Sequence, residues 1–124
     1  MQKILLLALA GVAGTLARYY LSGAVHDVLG REFPFGTAAV NLLGCALFGL
    51  VWTLADERAL LSPQARIVIL VGFMGAFTTF SSFIYESAGL IRDQEYLKAA
   101  VNIVGQNVLG YGCFILGAAF GRVI

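Results

Sequence analysis

The sequence predicts an all-α membrane protein: a single domain of four transmembrane helices, the third of them broken part-way along. Three observations lead there. Of 124 residues, 60% are hydrophobic and only 12% charged, and the mean hydropathy of +0.87 lies outside the range of ordinary soluble domains. The charges cluster, dividing the chain into four apolar stretches, each near the roughly 17 to 25 residues that cross a bilayer as a helix. The third stretch contains GFMGAFTTFSSF, Gly72 to Phe83, where glycines, threonines and serines stand in place of the leucine and valine that lipid contact alone would favour.

The first crossing is expected over Ile4–Val25. Its uncharged run, Ile4–Ala17, is too short to cross alone, so the helix must continue through Arg18 and Tyr19. Arg18 then sits at or inside a membrane boundary, either snorkelling beside an interfacial tyrosine or placing a positive charge at the mouth of an anion path. Lys3 and Ala8-Leu9-Ala10 have some look of a signal peptide, but the apolar character outlasts a short signal core and three similar segments follow. The second crossing is expected over Pro34–Ala55, with Pro34 suited to its first turn. The third covers Ile67–Ile91, introduced by Ser62-Pro63, with its break near residues 75–78, and the fourth covers Ala99–Gly121. The connections at 26–33, 56–66 and 92–98 are short and hold most of the charge, so no extramembrane domain is expected and no enzyme activity. His26 is expected in the first connection as solvated surface.

Cys45 and Cys113 both lie in apolar runs, where a thiol behaves as a small hydrophobe. The net charge of +1 offers no basic surface for nucleic acid, and zinc spacings, Walker loops and dinucleotide fingerprints are absent. Orientation is the more informative aspect of charge. Four crossings put Lys3, Arg58, Arg66 and Arg122 on one side of the membrane and Arg18, Arg31, Arg92 and Lys98 on the other. Four against four is no positive-inside bias. A chain without that bias can insert both ways, and opposed copies can pair as an antiparallel, dual-topology homodimer.

Inside the crossings, ionisable groups are nearly missing. The seven acids fall in connections or near helix ends, Glu86 deepest, which argues against a proton-coupled exporter with a mid-membrane carboxylate. Neutral hydrogen-bonding residues are plentiful instead. Thr37 and Asn41 are spaced i, i+4 and share a face of the second helix; Asn102 and Gln106 do the same on the fourth. Such residues serve as glue between helices, but two stacked pairs also suit a polar track. In the third helix, Gly72, Gly75, Thr78, Thr79, Ser81 and Ser82 all weaken helix propensity. A break there frees backbone carbonyls, tolerated at membrane depth only where protein, water or an ion takes them up. Carbonyls without acids suit a hard monovalent cation. Phe77, Phe80, Phe83 and Ile84 follow a helical spacing, usually a core stripe, although aromatic edges are electropositive and tolerate a small anion.

These residues resemble the Fluc (CrcB) family of fluoride channels over the whole length. GVAGTLARYY at Gly11–Tyr20 is similar to the family's first-helix motif, PFGTAAVNLLG at Pro34–Gly44 to its second-helix motif, and GFMGAFTTFSSF to its third-helix signature. The resemblance implies a dual-topology homodimer in the bacterial inner membrane that exports fluoride passively and rejects chloride. It further implies that Gly75 and Thr78 supply backbone carbonyls from each copy to a structural Na+ on the dimer axis. Phe80 and Phe83 would face the pore, with Asn41 as the amide near them; Thr79, Ser81 and Ser82 would form a hydroxyl-rich lining, and Arg18 would stand in the vestibule. Thr37, Asn102 and Gln106 would complete the fluoride path, the fourth helix being where the family pattern is loosest. The competing readings are a small dual-topology multidrug transporter and a non-transport membrane subunit.

Overall fold

The structure, a computed structural model, describes residues 1–124 throughout. It contains helices and short connections only. We label α1 (Gln2–Leu29), α2 (Phe35–Glu57), α3 (residues 63–77), α4 (Phe80–Arg92) and α5 (Tyr96–Val123). Four spans result, with α3 and α4 together making the third. α1 and α5 each have 28 residues, about 42 Å at 1.5 Å per residue, which is a bilayer with its headgroup layers included. This is why the helices outrun the apolar stretches: they continue through the interface, where polar residues are no obstacle.

Helix limits follow local chemistry. α1 ends at Gly30, which adopts φ 84° and donates its N–H to the His26 carbonyl, a left-handed conformation that glycine takes without penalty. His26 is therefore inside α1 and half-buried, not in a solvated loop as expected. Pro34 stands immediately before α2. Ser62 caps α3 by accepting the Ala65 N–H at 3.2 Å, with Pro63 in the first helical position. The final turn of α2 (Thr53–Glu57) and the middle of α3 (Val68–Met74) widen to π geometry.

The interior is unlike that of a soluble domain. Large apolar side chains cover the outside, including Leu5, Val12, Leu16, Val104, Val108 and Leu116. Only a small cluster of Val40, Leu70, Met74 and Phe77 forms an apolar core, and buried glycines outnumber these. Lipid is as apolar as leucine, so helices associate through close fit and small residues. Along the α2–α5 seam, a Cβ at Gly49 would collide with the Phe114 carbonyl and one at Gly117 with the Ala46 carbonyl. Along α1–α3, a Cβ at Gly14 would strike the Phe73 carbonyl, and one at Gly72 would lie 2.9 Å from Ala10 Cβ. These contacts set α2 against α5 and α1 against α3, leaving α4 on α5 beside them.

Candidate functional site

Between α3 and α4 the backbone is extended: Thr78 has φ −81°, ψ 161° and Thr79 φ −148°, ψ 110°. β-branched residues favour this conformation. Gly44 of α2 leaves the space that the Thr78 methyl occupies, and both the N–H and the hydroxyl of Thr78 reach back to the Met74 carbonyl at 3.1 Å. In an unbroken helix the Thr79 N–H would go to the Gly75 carbonyl. It goes instead to Asn41 Oδ1, at 2.9 Å. Likewise the Ser82 N–H, which would reach the Thr78 carbonyl, donates to Thr79 Oγ1 at 3.3 Å, so that Thr79 caps α4. The Gly75 and Thr78 carbonyls thereby lose the donors that a continuous helix would bring them.

Asn41 meets this extended segment at two points, since its Nδ2 also donates to the Thr79 carbonyl at 3.1 Å. The same nitrogen donates to Gln106 Oε1 at 2.9 Å. Gln106 Nε2 donates to Asn102 Oδ1 at 2.8 Å, Asn102 Nδ2 to Ser87 Oγ at 2.9 Å, and Ser87 Oγ to the Phe83 carbonyl at 2.7 Å. Helical spacing thus does bring Asn102 and Gln106 into contact, and it links them to Asn41 across the α2–α5 seam. Ser87, buried in α4, was not singled out from the sequence. Its signal was its position four residues past Phe83, on the helix face that meets α5.

Two cavities flank Thr79. One of about 870 Å3 opens beside α1 and is lined by Arg18, His26, Asp27, Arg31, Thr37, Thr79, Ser82 and Glu86, among others. Arg18 takes part in none of the ion pairs of the fold. Thr37 donates to Glu86 Oε1 at 2.7 Å, while Glu86 Oε2 is buried with no partner. Glu86 is therefore more central than its sequence position suggested: its carboxyl turns into the polar cavity from the middle of α4. The second cavity, about 220 Å3, is lined by Asn41, Cys45, Thr78, Thr79, Phe80, Phe83, Gln106 and Asn107.

The phenylalanines do not form one stripe. Phe77 is buried and stacks on Phe73 with centroids 5.7 Å apart, whereas Phe80 is 73% exposed and Phe83 buried. The two extended residues reset the helical phase, so the spacing from Phe77 does not carry over to α4. Phe80 and Phe83 remain neighbours, with centroids 5.7 Å apart. Ser81 is exposed, and its hydroxyl is 3.5 Å from Thr79 Oγ1. Gly75 is exposed, and a Cβ added there would meet nothing within 4 Å. Of the predicted residues, Arg18, Thr37 and Ser82 line the wide cavity, while a second group, Asn41, Thr78, Phe80, Phe83 and Gln106, lines the narrow one, with Thr79 lining both and Gly75 and Ser81 neither. Asn102 lines neither cavity and supports the second group from behind.

Comparison with known proteins identifies the family. Residues 5–118 match the family model described as CrcB-like protein, Camphor Resistance (CrcB). Among its relatives is a protein of Solidesulfovibrio magneticus named fluoride-specific ion channel FluC, 59% identical over 124 residues, covering 100% of this chain and 99% of the relative. Proteins of the same name from Nitrosococcus oceani and Maridesulfovibrio salexigens are 51% and 48% identical over 123 and 124 residues, covering 99% and 100% of this chain and 98% of each relative. With a family model spanning nearly all of it and full-length relatives at this identity, the chain belongs to the CrcB family.

Proposed function

We propose that this protein is a fluoride-selective ion channel that passes fluoride out of the bacterial cell down its gradient and so lowers cytoplasmic fluoride. The observation that carries the reading is the capped, extended Thr78–Thr79 segment, lying between a wide polar cavity that holds the unpaired Arg18 and a narrow one walled by two phenylalanine rings. A small, strongly hydrated anion leaves water only where close donors replace its shell. Hydroxyls at Ser81 and Ser82, ring edges at Phe80 and Phe83, and the positive N-terminal end of α4 are such groups, whereas the Thr79 hydroxyl spends its hydrogen on Ser82 Oγ at 2.9 Å. Arg18 raises the local anion concentration in the outer cavity.

The reading includes an antiparallel homodimer in the inner membrane. Gly75, Gly105 and Gly112 all have open space beside them, and Asn107, midway along α5, is exposed. A bare amide at that depth is costly in lipid, and small residues around it favour close approach of a second copy. The reading takes the extended Thr78–Thr79 segment as the break of the third crossing, which the sequence places near residues 75–78. The carbonyls of Gly75 and Thr78, released from their helical donors, fit a hard monovalent cation; two from each copy would hold a Na+ on the dimer axis, supplying a fixed positive charge. Conduction would use the remaining groups.

Purified protein in liposomes should release fluoride rapidly and electrogenically, with little chloride movement under the same gradient. Equal permeation of the two ions, or none of either from folded protein, refutes the reading. One observation favours a second reading, proton-coupled export: the Glu86 carboxyl inside the polar cavity, with one oxygen unpartnered. That reading requires flux to follow a pH gradient imposed without a fluoride gradient, and to lose this response in Glu86→Gln.

A further inference from the structure

We infer that Asn41 is a positioning residue with no amide N–H to offer an anion, and that the donor left for a fluoride between Phe80 and Phe83 belongs to Gln106, an inference that rests on the channel reading above. One backbone group sets the polarity of the row. The Thr79 N–H can only donate, so the atom of Asn41 facing it at 2.9 Å must be Oδ1. Nδ2 then points the other way and spends both of its hydrogens, on the Thr79 carbonyl at 3.1 Å and on Gln106 Oε1 at 2.9 Å. Gln106, which must present its oxygen to Asn41, turns Nε2 toward Asn102 Oδ1; Asn102 in turn offers Nδ2 to Ser87, whose hydroxyl hydrogen is left for the Phe83 carbonyl. Every amide in the row has its orientation fixed by a single main-chain N–H.

This fixed polarity separates two roles. Asn41 holds the extended segment at both its N–H and its C=O, the pairing a neighbouring strand would give, and so keeps Thr79 where it caps α4. A fluoride can take an Asn41 hydrogen only by releasing that clamp. Gln106 Nε2 makes one bond, to Asn102, and keeps its second hydrogen, in a half-buried side chain that lines the 220 Å3 cavity with Phe80 and Phe83. Asn102 also has a spare hydrogen, but it is 1% exposed and lines no cavity. Asn107 lines the cavity too, but it is exposed and tied only to its own helix through the Ile103 carbonyl, so nothing across the seam orients it.

The test uses the full-length protein in liposomes for fluoride efflux, measured across a range of fluoride concentrations, and in detergent for residue-resolved amide exchange by NMR. Gln106→Met keeps the length and removes the donor. Its half-saturating fluoride concentration should rise about tenfold or more, as expected for losing one hydrogen bond to a charged group, while the Thr79 N–H stays protected. Asn41→Leu should instead speed exchange of the Thr79 N–H by about tenfold or more. Should Gln106→Met not assemble, Asn102→Leu frees Gln106 from behind and should raise half-saturation in the same direction. Unchanged fluoride dependence in these variants, or a rise confined to Asn107→Leu, overturns the assignment to Gln106. A Thr79 N–H still protected in Asn41→Leu overturns the clamp. A wild-type protein that passes no fluoride removes the channel reading and the donor role together, and the exchange measurement still decides the clamp.

Discussion

Replacing Gly117 by alanine tests whether α2 and α5 must touch backbone to backbone for the narrow cavity to exist. The new Cβ would land on the Ala46 carbonyl, with Ala46 Cα at 3.1 Å, against 3.4–4 Å for ordinary contact. An alanine has no rotamer with which to escape, and the atoms it strikes are main chain. The helices must therefore part, by about 1.5 Å at that point, for the contact to become ordinary. Overpacking of this kind costs about 1–3 kcal/mol, and a central value of about 2 kcal/mol is a roughly thirtyfold fall in the folded-to-unfolded ratio. The same displacement carried up the seam stretches the 2.9 Å Asn41–Gln106 bond beyond hydrogen-bond range. Gly89→Ala is the matched control: nothing lies within 4 Å of a Cβ there, and alanine gains up to about 1 kcal/mol of helix propensity over glycine. Equilibrium unfolding in mixed detergent micelles should place Gly117→Ala well below the wild type and Gly89→Ala at or above it, with fluoride flux reduced in the first alone. Equal stability of the two variants would show that the α2–α5 seam has slack, and the fit argument would fail.

Other expectations follow from single contacts. Thr79→Val keeps the extended backbone and the Asn41 clamp but removes the hydroxyl that caps Ser82, so it should lower stability by about 1 kcal/mol in the same unfolding assay and slow fluoride efflux. Thr37→Val leaves Glu86 Oε1 without its 2.7 Å donor beside an oxygen already unpartnered, at about 1–3 kcal/mol, whereas Thr37→Ser should restore stability. Phe80→Ile and Phe83→Ile should both lower fluoride flux, but only the second, at a position 5% exposed, should also lower the unfolding midpoint. Loss of the proposed dimer by size-exclusion chromatography in either variant would favour a packing role for the rings.

How much of this was legible in the sequence depends on which physical rule governs each feature. The crossings were legible because a bilayer demands a long apolar run. Ser62-Pro63 was legible because capping chemistry is local, and the contact of Asn102 with Gln106 because four residues return a helix to the same face. His26 was misplaced for a reason of the same kind: loops are inferred where apolar character stops, but a helix does not stop there, and α1 runs on to Leu29 before Gly30 ends it. The phenylalanine stripe failed because extrapolating a period assumes an unbroken helix. Two extended residues between Phe77 and Phe80 change the phase, sending Phe77 to the core and Phe80 outward.

Asn41 marks a different boundary. An asparagine in an apolar helix is equally a ligand, a strut or glue, because residue type fixes only what it can donate and accept. Which role it fills depends on how many of its four bonding positions the fold has already used, and that depends on partners 38 and 65 residues away along the chain. The sequence located Asn41, Thr79, Asn102 and Gln106; it could not do this count. The decisive partner is the Thr79 N–H, free to bond a side chain only because Thr78 and Thr79 leave the helix. The weakened stretch thus does more than expose carbonyls. It supplies the single donor that orients the amide row behind the narrow cavity, so a substitution that restored helix through Thr79 would misdirect Asn41, Gln106 and Asn102 without altering any of them.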